Sequence, residues 1–196
     1  MPKTVDLYFD YTSPASYLAW AKLPAIAERT KAEIVWKPIF LGALFKAIDH
    51  VGNIEIPAKF EYTKMDVQRA ARHLGVPFKM PPDFPVWSLP FLRWTAALIE
   101  SGADPRPFIA ACFREIWEKG RNLNDRAIIA EFLSAQNISP EAFKAQTSAP
   151  EIKARLKALN DEAVARGVFG APAMFVGDEL FWGQDRLDYV ERALSV

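Results

Sequence analysis

One cysteine, two histidines and no net charge set the first limits on the chemistry of this 196-residue chain. The single Cys112 excludes an internal disulfide and a multi-cysteine metal site, so no metal is expected. Placed on an apolar stripe, it reads as a buried core thiol. His50 and His73 have no carboxylate partner at a diagnostic spacing, and solvated helix ends describe them better than catalysis does. With 24 basic and 24 acidic residues, the chain lacks the electrostatic footprint of a nucleic-acid or anionic-membrane binder. No apolar run approaches the ~20 residues that span a bilayer. Met1-Pro2-Lys3-Thr4 leads directly into a strand without the apolar core of a signal peptide, so a cytoplasmic, reducing setting is expected. Internal repeats, low-complexity segments and flexible linkers are also missing. What remains is 51% hydrophobic, with 6 Trp, 14 Phe and 5 Tyr, enough to bury one core or one core with a packed insertion.

The order of elements follows from hydrophobic period and punctuation. Thr4 to Phe9 is a short apolar-aromatic run, a buried strand. Ser13-Pro14 places an N-cap before a first-turn proline, and the helix runs on to about Arg29-Thr30. Glu33 to Pro38 alternates around Ile34 and Trp36, which completes a right-handed βαβ unit with parallel strands. From Leu41 to about Gly167 the strand signal almost vanishes. Phe60, Val67, Ala71 and Leu74 share a helical face that ends at Gly75 and Pro77. Further helices are predicted to open at Ser88-Leu89-Pro90, at Asp104-Pro105, at an Asn124 cap, at Ser139-Pro140, and at a capping box formed by Ser148 and Glu151. Met174 to Val176 and Leu180 to Trp182 form a hairpin around Gly177-Asp178-Glu179, and a terminal helix begins at Gln184-Asp185.

Two stretches at opposite ends of the chain carry the first resemblance. Phe9-Asp10-Tyr11-Thr12-Ser13-Pro14-Ala15-Ser16-Tyr17 reads as a strand entering a helix, and Gly170-Ala171-Pro172-Ala173-Met174-Phe175-Val176 as a loop with a proline just before a strand. Together they resemble the DsbA-like branch of the thioredoxin fold, where a Cys-x-x-Cys at the first helix faces a cis-proline before the third strand. The implied fold class is α/β: a thioredoxin-like fold (βαβ + ββα) with a large all-helical domain inserted between its halves. The boundaries expected are 1–40 for the βαβ half, 41–167 for the insertion and 168–196 for the ββα half. Ser13 and Ser16 stand at both cysteine positions, so disulfide exchange is impossible there and the site must borrow a thiol. Glutathione is the expected source.

Three segments then acquire chemical readings. At a helix N-terminus, free N–H groups and the macrodipole favour negative charge. The Ser13 hydroxyl can donate to a bound thiolate and lower the thiol pKa, or it can serve only as a helix cap. The backbone beside a cis Ala171-Pro172 bond can pair with a short extended peptide such as glutathione; a proline that merely starts an edge strand is the plainer alternative. In Phe181-Trp182-Gly183-Gln184-Asp185-Arg186, Gly183 permits close backbone approach, and helix-start N–H groups can take a carboxylate. The Asp185 side chain can bind an ammonium there, or act simply as a helix-start acid.

The longer matches narrow the resemblance. They are residues 9–19 (Phe-Asp-Tyr-Thr-Ser-Pro-Ala-Ser-Tyr-Leu-Ala), Val51-Gly52-Asn53, 64–70 (Lys-Met-Asp-Val-Gln-Arg-Ala), Leu74-Gly75-Val76-Pro77-Phe78, 168–175 and 182–187. Across essentially its whole length the chain resembles the 2-hydroxychromene-2-carboxylate isomerases, sisters of the kappa-class glutathione transferases. The resemblance implies catalysis at Ser13 on the glutathione sulfur. It implies glutathione binding by Ser13, Ala171, Pro172, Trp182, Gly183, Gln184 and Asp185, and a homodimer. For an aromatic small-molecule substrate the candidates are Phe45, Lys46, Asn53, Lys64 and Trp87. Phe40 and Phe91 could add to the aromatic wall. The loop 81–89 lacks the basic side chains of naphthalene-pathway relatives, which leaves Lys46, Lys59 and Lys64 as cationic candidates. The expected function is glutathione-dependent interconversion of 2-hydroxychromene-2-carboxylate and trans-o-hydroxybenzylidenepyruvate, or a related aromatic pyruvate, in aromatic catabolism. A kappa-type transferase or peroxidase and a redox-inactive DsbA-like peptide-binding protein are the alternatives.

Overall fold

A computed structural model describes residues 3–196. Its centre is a four-stranded mixed sheet of β1 (Thr4–Phe9), β2 (Glu33–Pro38), β3 (Ala173–Val176) and β4 (Glu179–Trp182), in the order β2-β1-β3-β4. β1 runs parallel to β2, with Leu7 opposite Trp36, and antiparallel to β3, with Leu7 opposite Met174. β3 and β4 form the expected hairpin. The parallel pair is connected by α1 (Pro14–Thr30), because parallel strands need a long crossover.

Between β2 and β3 the described residues form α2 (Leu41–Ala47), α3 (Pro57–Leu74), α4 (Leu89–Glu100), α5 (Arg106–Phe113), α6 (Arg126–Ala135), α7 (Pro140–Ser148) and α8 (Pro150–Ala165); α9 (Leu187–Ser195) closes the chain. Gly75, at φ 65°, ends α3 in the left-handed conformation that suits glycine. Three starts differ from the sequence expectation, the first being the terminal helix, where Gln184–Arg186 form a 3₁₀ turn and α9 starts at Leu187. α6 is capped by Asp125, whose carboxylate accepts from Ala127 N and Ile128 N, while the Asn124 amide is committed elsewhere. The capping box at Ser148 does not form: Ser148 is the last residue of α7, and the chain passes through Ala149 directly into α8.

Alternation along β1 separates two cores. Val5, Leu7 and Phe9 join the larger one with residues of α1, α9 and the helices α3 to α7. Tyr8 joins the smaller one on the other face, with Ile39, Leu44 of α2, Ala163 of α8, Val168, Ala173 and Phe175. α2 and the end of α8, both from the stretch between β2 and β3, thus cover the second face of the sheet. Polar groups finish that face: Tyr8 donates to Glu162 (2.6 Å), which also pairs with Lys37 (3.1 Å), and Arg166 reaches Asp6 (2.5 Å) and Tyr8 (3.0 Å). Cys112 is fully buried, as its apolar stripe implied. No helix among the described residues is long and apolar enough to cross a membrane.

Candidate active site

The turn joining β1 to α1 is fixed from several sides. Asp10 O accepts from Ser13 N (3.0 Å), and Asp10 Oδ1 accepts from Thr12 N (3.0 Å). Tyr11 O accepts from the indole of the fully buried Trp117 (2.8 Å), and its hydroxyl lies 2.5 Å from Thr95 Oγ1. Trp117 belongs to a π-helical turn (Arg114–Glu118) that continues α5. The helical block therefore grips the turn that presents Ser13.

Ser13 caps α1: its Oγ accepts from Ser16 N (3.1 Å). The same hydroxyl donates to Ala171 O (2.8 Å), across 158 positions of sequence. The Ala171-Pro172 bond is cis, and Pro172 O accepts from Gly183 N (3.0 Å). One chain of contacts thus gathers Ser13, Ala171, Pro172 and Gly183 from three separate segments. Ser16 is fully buried, and its Oγ meets no hydrogen-bond partner; Thr12 Oγ1 is buried and unpartnered as well. At the start of α1 Pro14 has no N–H and Ser16 N is taken by Ser13 Oγ, which leaves Ala15 N to meet a bound polar or anionic group.

Trp182 covers Gly170 so closely that a Cβ there would lie 2.6 Å from its indole nitrogen, and it packs against Phe169 at 4.8 Å between ring centroids. Gly183 has φ 105°, and the Asp185 carboxylate folds back over it. Asp185 is otherwise exposed, with Arg186 at 3.4 Å. Gln184 and Asp185 face a groove of about 490 Å³ between α1, the end of α3 and α9, which also presents Lys22, Arg29, His73 and Asp188. Cations and acids along one groove can hold the paired ammonium and carboxylate of an amino-acid end group.

The five substrate candidates are spread more widely. Trp87 packs edge-on against Phe40 (5.3 Å between centroids), just before α2. It also borders an apolar cavity of about 210 Å³ with Pro90, Phe91, Leu123 and Phe143. Phe45 contacts His50 and lies under Gly52, and Lys46 is in the last turn of α2. Asn53 is exposed in a short 3₁₀ turn, and Lys64 is engaged by Glu61 (2.7 Å) beside the Phe60 ring. No hydrogen bond or ring contact among the described residues links Phe45, Lys46, Asn53 or Lys64 to Ser13 or Ala171. The proline-rich loop 81–90 is held by two amides. Asn122 donates to Asp83 O (2.9 Å); Asn124 donates to Pro85 O (3.1 Å) and accepts from Trp87 N (2.6 Å).

A residue that the sequence did not single out is Asp10. It is fully buried, and burial pushes its carboxyl pKa up from 3.8 to about 6, against the opposing pull of the Leu41 N–H, the Ser88 hydroxyl and the Thr12 N–H. An acid between two strand-end aromatics, Phe9 and Tyr11, was the available signal for its burial.

The pattern of the DSBA-like thioredoxin domain fits residues 4–195, nearly the whole chain. The chain belongs to the DSBA-like thioredoxin family. Among its relatives, the 2-hydroxychromene-2-carboxylate isomerase of Sphingobium xenophagum is 35% identical over 199 residues, covering 99% of each chain. A solved 2-hydroxychromene-2-carboxylate isomerase structure superposes with a TM-score of 0.85 at 31% identity, covering 97% of this chain and 94% of that one. Glutathione S-transferase kappa 2 of Caenorhabditis elegans is 26% identical over 98% of this chain and 92% of its own length. In this DSBA-like fold, Ser13 and Ser16 occupy the helix start, and the only thiol, Cys112, is buried in the larger core and pushed up in pKa by that burial.

Proposed function

We propose that this protein is a glutathione-dependent isomerase of 2-hydroxychromene-2-carboxylate and trans-o-hydroxybenzylidenepyruvate, or of a closely related aromatic pyruvate. The observation that carries the reading is the Ser13 hydroxyl at the start of α1, bonded to Ala171 O beside Pro172, with no protein thiol at the site. Full-length similarity to named isomerases supports the reaction class. The Ala171 main chain beside Ser13 suits pairing with a short thiol peptide.

Glutathione, when bound, would supply a thiolate for addition to the conjugated alkene, its expulsion after rotation about the resulting single bond restoring both the alkene and the free thiolate. The protein's part is activation and orientation. The Ala15 N–H at the start of α1, the helix dipole and the Ser13 hydroxyl stabilise negative charge at sulfur. Ser13 acts as a donor there and has no partner base that would make it a nucleophile. The Ala171 backbone holds the peptide in strand fashion, and Trp182 shields its flank. Gln184 and Asp185 receive the γ-glutamyl end. Phe45, Lys46, Asn53, Lys64 and Trp87 belong to the substrate side, so residues 1–40 and 168–196 serve the thiol while 41–167 serve the aromatic acid. A cytoplasmic homodimer completes the reading.

The test is retention on immobilised glutathione, followed by spectrophotometric conversion of trans-o-hydroxybenzylidenepyruvate with and without glutathione. Glutathione-independent conversion, or none at all, removes the proposal. The kappa-transferase similarity favours one second reading, conjugation of glutathione to an electrophile; consumption of glutathione during turnover would establish it in place of isomerisation. Retention on glutathione also separates both enzymes from a redox-inactive peptide binder.

A further inference from the structure

Asp10 is the point at which three walls of the site meet. Its Oδ1 accepts Thr12 N, in the turn that leads to Ser13, and its Oδ2 accepts Leu41 N (2.9 Å), the first residue of α2. The fully buried Ser88 hydroxyl, just before α4, finds no partner of hydrogen-bond geometry, yet it lies near enough to favour the ionised Asp10 carboxyl. Beside these contacts, Phe40 has its N–H and C=O held by Asn160 (2.9 and 3.0 Å), and its ring supports Trp87. The carboxylate therefore ties the Ser13 turn to Leu41, the residue that follows Phe40 of the Phe40–Trp87 pair.

A carboxylate is the group that fits this place. Both of its oxygens receive a main-chain N–H, whereas an amide could accept at one oxygen only and would set its NH₂ against the other donor. An apolar side chain would leave two buried N–H groups orphaned. No cation pairs with Asp10 among the described residues; its titratable neighbour is Tyr11, which in turn lies against Cys112 of α5, and burial holds both of these neutral.

We infer that Asp10 is a positioning residue of the thiol site, a buried carboxylate that locks the Ser13 turn to the first turn of α2 and the start of α4. It touches neither glutathione nor substrate; it fixes the separation between the sulfur-binding cap and the aromatic wall. The inference rests on the isomerase reading for its catalytic consequence only.

Two measurements test it. In the free wild-type protein, the Thr12 and Leu41 amide resonances and the Trp87 indole resonance are expected to shift together with one midpoint at about pH 6. In Asp10→Asn that shared transition should vanish. Amides that stay flat between pH 5 and 8 in the wild type, or a transition that persists in the variant, overturn the proposal without any appeal to glutathione. In turnover, Asp10→Asn is expected to lower kcat by about tenfold to a hundredfold, the scale of an ångström-level misplacement, and to flatten the acid limb of its pH profile. Glutathione affinity by calorimetry should stay within about threefold. Unchanged kcat and pH profile would overturn the positioning role. Failure of the wild type to bind glutathione would overturn the isomerase reading and leave the titration to decide on Asp10.

Discussion

Replacing Ser13 with alanine removes one hydroxyl that has two tasks, and their energies separate. As a cap, Ser13 Oγ accepts from Ser16 N, and losing that contact costs about 1 kcal/mol. As a donor it binds Ala171 O, a neutral hydrogen bond with a net worth of about 0.5–1.5 kcal/mol. The folded state should therefore lose about 2 kcal/mol, or about 4–8 °C of Tm at this chain length. The effect on glutathione is smaller than a bare count of hydrogen bonds suggests. The hydroxyl carries one proton, which is already donated to Ala171 O, so serving a thiolate means giving up that bond. The gain is the difference between a bond to a charged acceptor, about 1.5–3 kcal/mol, and the neutral one, which comes to about 1 kcal/mol. At about 1.4 kcal/mol per pKa unit, Ser13→Ala should raise the bound thiol pKa by about 0.5–1 unit, with the Ala15 N–H and the helix dipole retaining the rest of the depression. The assay is thiolate absorbance at about 240 nm against pH with glutathione saturating, wild type beside variant. Superimposable titrations with equal turnover would reduce Ser13 to a helix cap. A shift beyond about 2 units would show that the Ala171 bond does not compete, contrary to this reasoning.

Three further outcomes follow from named contacts. Asp185→Ala should weaken glutathione binding about tenfold by calorimetry, the scale of a lost charge-assisted hydrogen bond, whereas unchanged affinity would leave Asp185 a surface acid. Gly170→Ala would place a methyl 2.6 Å from the Trp182 indole nitrogen; it should cost about 1–3 kcal/mol in urea unfolding and change tryptophan emission, and a variant as stable as wild type would mean that the indole moves freely. Asp10 should give stability an unusual pH slope. Its folded pKa, about 6, lies above the ordinary 3.8, so the native state binds the proton more tightly and this contribution improves as pH falls through about 6. Between pH 7 and 4 the wild type should gain about 2 kcal/mol relative to Asp10→Asn in unfolding free energy, and a difference that is constant with pH would contradict the burial argument.

Much of this molecule can be read from local patterns, and what cannot be read is tertiary. The βαβ unit, the hairpin and the Ser13 cap follow from alternation, a first-turn proline and turn residues, all of which act within a few positions. Cys112 was legible because it sits on a stripe with Ile109, Phe113 and Ile116, all buried. Asn124 and Asp125 are equally good caps in sequence; the choice falls to Asp125 because the Asn124 amide is drawn across to Pro85 and Trp87. Ser148 fails as a cap because the preceding helix runs on to include it. Asp10 escaped notice for a similar reason. In Phe-Asp-Tyr-Thr-Ser-Pro the acid simply separates a strand from a helix cap, and only the meeting of α2, α4 and the β1–α1 turn buries it. The proposed substrate side was the least legible part, since Phe45, Asn53, Lys64 and Trp87 lie on different elements whose relation is set by packing.

The cover on the sheet's second face governs how parts of this fold can be exchanged. Leu44 of α2 and Ala163 of α8 pack with Tyr8 and Phe175, and Glu162 and Arg166 complete the polar contacts to β1. A graft that replaces everything between β2 and β3 would strip the sheet of half its cover and force a foreign surface onto it. A graft confined to residues 57–148 would leave that cover in place, provided it kept Thr95 and Trp117, which hold the Ser13 turn. Of the proposed substrate residues, Lys64 and Trp87 can therefore be rewritten with the sheet's cover intact, whereas Phe45 and Lys46 belong to α2, itself part of that cover.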